Sequence, residues 1–407
     1  MSGSYDTIVI GAGIVGCCVA YTLKQKGQKV LLVDRSSVAA SGGSGAAGAF
    51  VSPKIGKGSA LQTLTNEAFE FSKDFYLNHF PNHFYQTGVI RIPKDADDAE
   101  KFPIYEEHNK SKHRWVEKKE LEELGIYNCE KSFLFDESAV CDAPEMCREI
   151  MHGLEFKQVD VDSLKYSDDF WHIETSSNPP RGSDAFCKKD SHTTLSDNDK
   201  QIDLKAKNIV LSTGYENKLF DMRYMAVKGT WGSRGDYESS LDLKVSMHKS
   251  ISISSNINGV IKVGASHVKA KKPCVICDGE PLKEIFEKAT TMVDTSDFKL
   301  KETLCGMRAG SKDYFPLAGK VIDVPFMLET YPKITQGAKP EFKHIENLFI
   351  CNGVGGRGFV FSPYIAELLA ESIVKNEPID KRINPDRLFL KWCRKLCCPP
   401  TTPSRGR

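Results

Sequence analysis

At both ends of the chain one pattern appears: a short apolar run, a glycine-punctuated bend, then apolar positions at helical spacing. Thr7-Ile8-Val9-Ile10 predicts a buried strand, and Gly11-Ala12-Gly13-Ile14-Val15-Gly16 predicts a turn. Residues 14–26 carry a helical pattern (Ile14, Val15, Cys18, Val19, Leu23) that Gly27 stops. Lys29 to Asp34 is a second apolar strand ending in an acid. Near the other end, Leu348 to Asn352 reads as a strand and Gly353 to Gly358 as a bend. A helix from Tyr364 to Lys375 follows, with Pro363 in its first turn and Ser362 as its cap. Between these lie a helical pattern from Ser59 to Asn78, a strand from Tyr85 to Ile92, and a strand from Asn208 that runs into Gly214. Residues 176–203 are polar throughout and read as a long surface loop between strands at 172–174 and 209–211.

The architecture these elements predict is α/β. A doubly wound, Rossmann-type lobe is assembled from residues 1–53, 132–228 and 300–376. It is interleaved with an α+β substrate lobe with a mixed sheet, from 54–131 and 229–299, and a basic tail follows at 377–407. A ligand is expected at the carboxyl ends of the first lobe's strands, between the lobes.

The spacing at the N-terminus carries chemistry. Gly11 allows a sharp turn, Gly13 lets a pyrophosphate approach the backbone, and Gly16 lets the helix pack on the strand. Asp34 stands where a ribose diol is bound in such units. Next comes a run of very small residues, including Ser41, Ser44, Gly45, Ala46 and Gly48, which allows backbone to pass close to a large flat ligand. A second glycine turn (Gly353, Gly355, Gly356, Gly358) before a helix N-terminus suits negative charge, such as that on a reduced flavin. An NAD enzyme has no need of that second element, so the pair of turns points to FAD, with Gly214 on a further strand returning to the same site.

Composition narrows the classes. The net charge of +1 gives no global pull toward nucleic acid, DNA included, or a membrane surface, so a polyanion contact must come from a local patch, and no apolar run is long enough for a span. The N-terminus lacks the basic segment of a signal peptide, and the 13 cysteines are expected as free thiols in a reducing cytoplasm. Cys274-Val275-Ile276-Cys277 lacks a second ligand pair, so no metal site is expected. Lys381, Arg382, Arg387, Lys391, Arg394, Lys395, Arg405 and Arg407 make the C-terminal stretch locally basic, and Lys54 and Lys57 add to a rim.

With these segments in view, the chain resembles the FAD-dependent amino-acid oxidase family from residue 5 to about 395. The resemblance rests on the 11–34 unit, the 41–49 run, Gly306-Met307-Arg308-Ala309-Gly310-Ser311-Lys312-Asp313 with Pro316, and the 353–358 turn. Ser52-Pro53-Lys54, Gly264-Ala265-Ser266 and Ile383-Asn384-Pro385-Asp386-Arg387 are similar to the branch whose oxidase domain acts on a wobble uridine of tRNA. The resemblance implies oxidation of a CH–NH bond next to a carboxylate, with Arg308 gripping that carboxylate. Arg357 is left with two roles, contact with flavin or substrate and bracing of the loop. The resemblance further implies either a carboxymethylaminomethyl uridine in tRNA or a small free amino acid or secondary amine as substrate. A purely structural FAD is the third reading, and Arg308 argues against it. The strand 249–254 departs from the family in having no aromatic residue, which alters the substrate pocket. Lys312 and Asp313 are expected to pair locally, and His267 to be a structural histidine.

Overall fold

A computed structural model describes residues 4–175, 204–216, 218–269 and 279–396. The expected 176–203 loop, Cys274, Cys277, Arg405 and Arg407 lie outside the described residues.

The first strand, Ser4–Ile10, is central to an eight-stranded sheet. It pairs in parallel with Val30–Asp34 on one side and Leu204–Leu211 on the other, with Ile8 opposite both Leu31 and Ile209. Glu155–Gln158 extends the sheet past Val30–Asp34, and His344–Asn352 joins Leu204–Leu211, both in parallel. Alternate residues of these strands enter two different cores. Val9, Leu32, Val210 and Phe349 pack under the helices Ile14–Gln25 and Gly358–Lys375, while Ile8, Leu31, Ile209 and Ile350 pack on the opposite face. A parallel sheet covered on both faces needs apolar residues at every position, which is why these strands read as unbroken apolar runs.

The second sheet is mixed and nine-stranded. Lys299–Gly310 and Lys228–Glu238 form its longest ladder, followed by Val260–Gly264, Ser252–Ile253, Ser246–His248, Val89–Arg91 and Lys131–Phe135. The α/β fold with a mixed second sheet is as expected, but its segments differ from the sequence boundaries. Lys131–Phe135 and Lys299–Gly310 belong to the second sheet, and the helix Ala60–His79 packs in the core of the first lobe. The expected 85–92 strand is split: Gly88 has φ +73, which sends Phe84–Tyr85 into a separate three-stranded sheet.

The helix expected from Tyr364 begins instead at Gly358 and carries Pro363 inside it. Proline removes the amide that would bond the carbonyl of Phe359. Tyr76 offsets that loss, its buried hydroxyl donating to Phe359 O at 3.1 Å, and Ser72 Oγ donates to Val360 O at 2.7 Å.

The C-terminal segment is more than a tail. Asp386–Leu396 is a helix that buries Phe389 and Cys393 in the second core. Arg382 is paired with Glu67 and Asp380, and Arg387 with Asp313, so these two arginines are structural. Asp313 is therefore taken by Arg387 rather than by Lys312. Seven described cysteines are free and buried, whereas Cys305 is disulfide-bonded, which corrects the expectation of thiols throughout. No described helix is long and apolar enough to cross a membrane.

Candidate active site

The two glycine turns meet. Gly11, with φ +108, ends the first strand, and a Cβ there would stand 2.4 Å from Ser212 O. A Cβ on Gly16 would stand 1.8 Å from Gly11 O, so helix and strand touch backbone to backbone. Ala12 N–H donates to Asp34 Oδ2 at 2.7 Å and Ser36 N–H to Oδ1 at 2.8 Å. Burial raises the Asp34 pKa and prevails over the two amides that lower it. Asn352 links the second turn to the mid-chain strand: its Nδ2 donates to Gly214 O at 2.7 Å, and its Oδ1 accepts from Gly353 N–H at 2.8 Å.

One cavity of about 990 Å³ runs along both turns. Its lining includes Gly11, Gly13, Asp34, Ser41, Ser44, Gly48 and Gly214, then Gly353, Gly355, Gly356, Arg357 and Gly358 at the second turn, and Arg308. Three of the expected residues do not reach it. Gly16 packs on Gly11 O, Gly45 lies against Ala40 O, and Ala46 stands beneath Gly306. Their smallness serves backbone packing, as the spacing predicts for Gly16 but does not reveal for Gly45 and Ala46.

The lining suits a dinucleotide. At Gly13 a Cβ would meet only Ser44 Oγ, at 3.1 Å, and at Gly42 nothing within 4 Å, so both glycines leave room on the cavity side. Ser44 Oγ accepts from Ile14 N–H at 3.0 Å and tethers the small-residue run to the helix N-terminus. Ser212 Oγ and Trp231 Nε1 line the cavity, buried and without a partner among the described residues, as a polar ligand would require. FAD has its diphosphate, ribose and ring to place here, and these residues fit it.

Arg308 lies near the end of Lys299–Gly310, opposite Thr230. Its Nη1 donates to Ser266 O at 3.0 Å, and no described carboxylate pairs with it. Loss of hydration lowers its pKa. Gly232 makes space for the guanidinium: a Cβ there would be 2.3 Å from Nη2. His267 also lines the cavity, and burial first, then the charge of Arg308, lowers its pKa, so the ring is neutral near pH 7. On the strand that lacks the family's aromatic residue, Ser252 faces the cavity, while Tyr314, 76% exposed, stands at its edge.

Sequence reasoning missed Arg91, Gly232 and Trp231 as lining or supporting residues. For Arg91 one local trace exists, a charge inside the apolar run Val89-Ile90-Arg91-Ile92. For Gly232 there is none, because its partner is 76 residues away in the chain.

Comparison with known proteins agrees with this geometry. A family described as FAD dependent oxidoreductase (DAO) matches residues 6–372. The tRNA 5-methylaminomethyl-2-thiouridine biosynthesis bifunctional protein of Shewanella amazonensis is 23% identical, over 96% of this chain and 60% of that protein. The chain thus spans about 60% of the length of such relatives. Among solved structures, glycine oxidase from Bacillus cereus is similar with TM-score 0.71 and 18% identity, covering 92% of this chain and 96% of that one. Iminodiacetate oxidase from Chelativorans sp. is similar with TM-score 0.68 and 17% identity, covering 93% and 99%.

Proposed function

The chain belongs to the FAD dependent oxidoreductase family, and from that premise we propose that it oxidises the carbon–nitrogen bond of an amine bearing a carboxylate on the oxidised carbon. The observation that carries this reading is Arg308: a guanidinium on a cavity wall that, among the described residues, is held by one carbonyl and meets no carboxylate. Such a fork takes a substrate carboxylate through two parallel bonds and thereby fixes the adjacent C–H. FAD, when bound, supplies the two-electron acceptor. An N-carboxymethyl amine loses a hydride and a proton, water adds to the resulting imine, and a primary amine and glyoxylate separate. His267, being neutral, adds no charge beside the amine, and the nearby cations favour the amine's unprotonated form, which is the form able to lose hydride.

Gly232 positions that clamp. Gly232→Ala is expected to lower kcat/KM for the amine, since displacement of a clamp by about 1 Å lowers rates on the order of 10²-fold. FAD content should stay full. Unchanged kinetics would mean that Arg308 yields without consequence.

For the carrier we propose tRNA, with carboxymethylaminomethyl uridine as the oxidised group. Support comes from the tRNA-modifying relatives that match nearly the whole chain. An exposed basic patch adds to it: Lys395 in contact with Lys312, and Lys391 and Lys228 nearby, together lower the Lys312 pKa. Tyr314, two residues from Lys312, is exposed at the cavity's edge. Phosphates would neutralise the lysines and an aromatic face would stack a base. A small free amino acid or secondary amine is the second reading, favoured by the likeness to glycine and iminodiacetate oxidases and by a net charge of only +1. Deletion of the gene followed by mass spectrometry of wobble nucleosides separates the two. Accumulated carboxymethylaminomethyl uridine is expected, and an unchanged profile removes tRNA and leaves the small amine.

A further inference from the structure

Positive charge in the cavity is not confined to Arg308. Arg91 ends the strand Val89–Arg91, in register with His248 and Phe133. It is 8% exposed, lines the cavity, and its Nε is buried without a partner. Arg357, from the second glycine turn, and Lys54, after the small-residue run, line the same cavity. Among the described residues no side-chain acceptor meets any of these three groups. The four acids of the lining are elsewhere: Asp34, Asp160, Asp162 and Glu216 gather around the carboxyl end of Val30–Asp34, where Val159 N–H bonds Asp34 O and Glu216 is paired with Arg35. The cavity is therefore acidic at its ribose end and cationic at the other.

A buried cation without counter-charge, as Arg91 is, is unfavourable unless a ligand supplies the missing charge, and the half-buried Arg357 and Lys54 add to the charge to be met. Arg308 borders this cluster without joining it: a Cβ on Gly356, next to Arg357, would stand 3.8 Å from Arg308 Cδ, yet none of the three cations acts on its pKa, which burial alone lowers. Four strands of the second sheet lie between its strand and that of Arg91. We infer that Arg91, Arg357 and Lys54 form a second anion site in the cavity, which takes a further carboxylate or a phosphate of the substrate while Arg308 holds the carboxylate beside the oxidised carbon. The division of labour rests on the role of Arg308 proposed above. The electrostatics agree with the geometry: Arg91 is pushed down to about 9 by burial and by Arg357, and Lys54 to about 8 by burial and by Arg357, Arg91 and Lys94.

The test titrates the FAD-loaded protein at constant ionic strength with anions that contain no amine, read by perturbation of the flavin absorbance. The probes are acetate, the series malonate, succinate and glutarate, and phosphoglycolate. At least one two-anion probe should bind about 10-fold or more tighter than acetate, and Arg91→Met and Lys54→Met should each cut that advantage below about 3-fold with acetate itself little changed. A dicarboxylate as the best probe assigns the site to a carboxylate, and phosphoglycolate assigns it to a phosphate. Equal binding of all probes, or an advantage that survives both substitutions, overturns the inference. So does a changed flavin midpoint potential in Arg91→Met with the anion ranking intact, because the cluster would then serve the flavin. If Arg91→Met does not fold, Lys54→Met, at a half-buried position, decides. Failure of the Arg308 reading appears separately, as acetate binding that Arg308→Met leaves unchanged.

Discussion

Gly13→Val is expected to give a folded, colourless protein. Gly13 caps the helix Ile14–Gln25 with φ −74 and ψ 176, a backbone conformation open to any residue. Only Ser44 Oγ, at 3.1 Å, crowds a Cβ there, so the fold can accept the side chain. The rest of a valine would occupy the cavity in front of the helix N-terminus, where the diphosphate must approach. Loss of two charge-assisted bonds there, about 1.5–3 kcal/mol each, lowers FAD affinity by roughly 10²–10⁴-fold. Circular dichroism should match the parent and the flavin absorbance should be missing. Gly16→Ala makes the contrast: its Cβ would fall 1.8 Å from Gly11 O, a backbone clash, and soluble protein itself should be lost. A full complement of FAD in Gly13→Val would reject the phosphate role of the first turn.

The difference between these glycines bears on how much of the molecule is legible in its sequence. The strand–turn–helix at 4–34, the acid at its end and the second glycine turn are local: each is written in consecutive residues, and the fold places them together as expected. The turn's spacing assigns Gly13 to the ligand and Gly16 to packing, and the fold agrees, but in the small-residue run the choice is not local: Ser44 lines the cavity, whereas its neighbour Gly45 lies against Ala40 O. The start of the last long helix was hidden for a similar reason, because the carbonyl that Pro363 leaves without an amide is met by Tyr76, from a helix nearly 300 residues earlier. Sheet membership was equally hidden. Lys131–Phe135 and Lys299–Gly310 have strand patterns that fit either sheet, and only the ladders with Val89–Arg91 and Lys228–Glu238 decide. The cationic end of the cavity follows from that sheet order. Arg91 and Arg308 come from strands that the chain separates by about half its length, so no motif contains both.

Arg308→Ala is expected to keep its FAD and lose most of its activity on the amine. Removing one partner of a buried, hydrogen-bonded charge pair lowers binding by about 2–5 kcal/mol, which corresponds to roughly 30- to 4,000-fold in kcat/KM. The fold should tolerate the change, because among the described residues the guanidinium is tied only to Ser266 O, at 3.0 Å on the cavity wall, where water can replace it. Arg308→Lys should recover only part of the loss, since an ammonium keeps the charge but not the two-pronged geometry that aims the C–H. A second readout separates the clamp from a merely structural arginine. Arg308 is the charge that, after burial, lowers the His267 pKa, so its removal should move that pKa upward and shift the acid limb of the activity profile toward higher pH. Kinetics and pH profile both unchanged in Arg308→Ala would leave the substrate carboxylate without a partner on this wall, and the cationic cluster of Arg91, Arg357 and Lys54 would be the place to look for it.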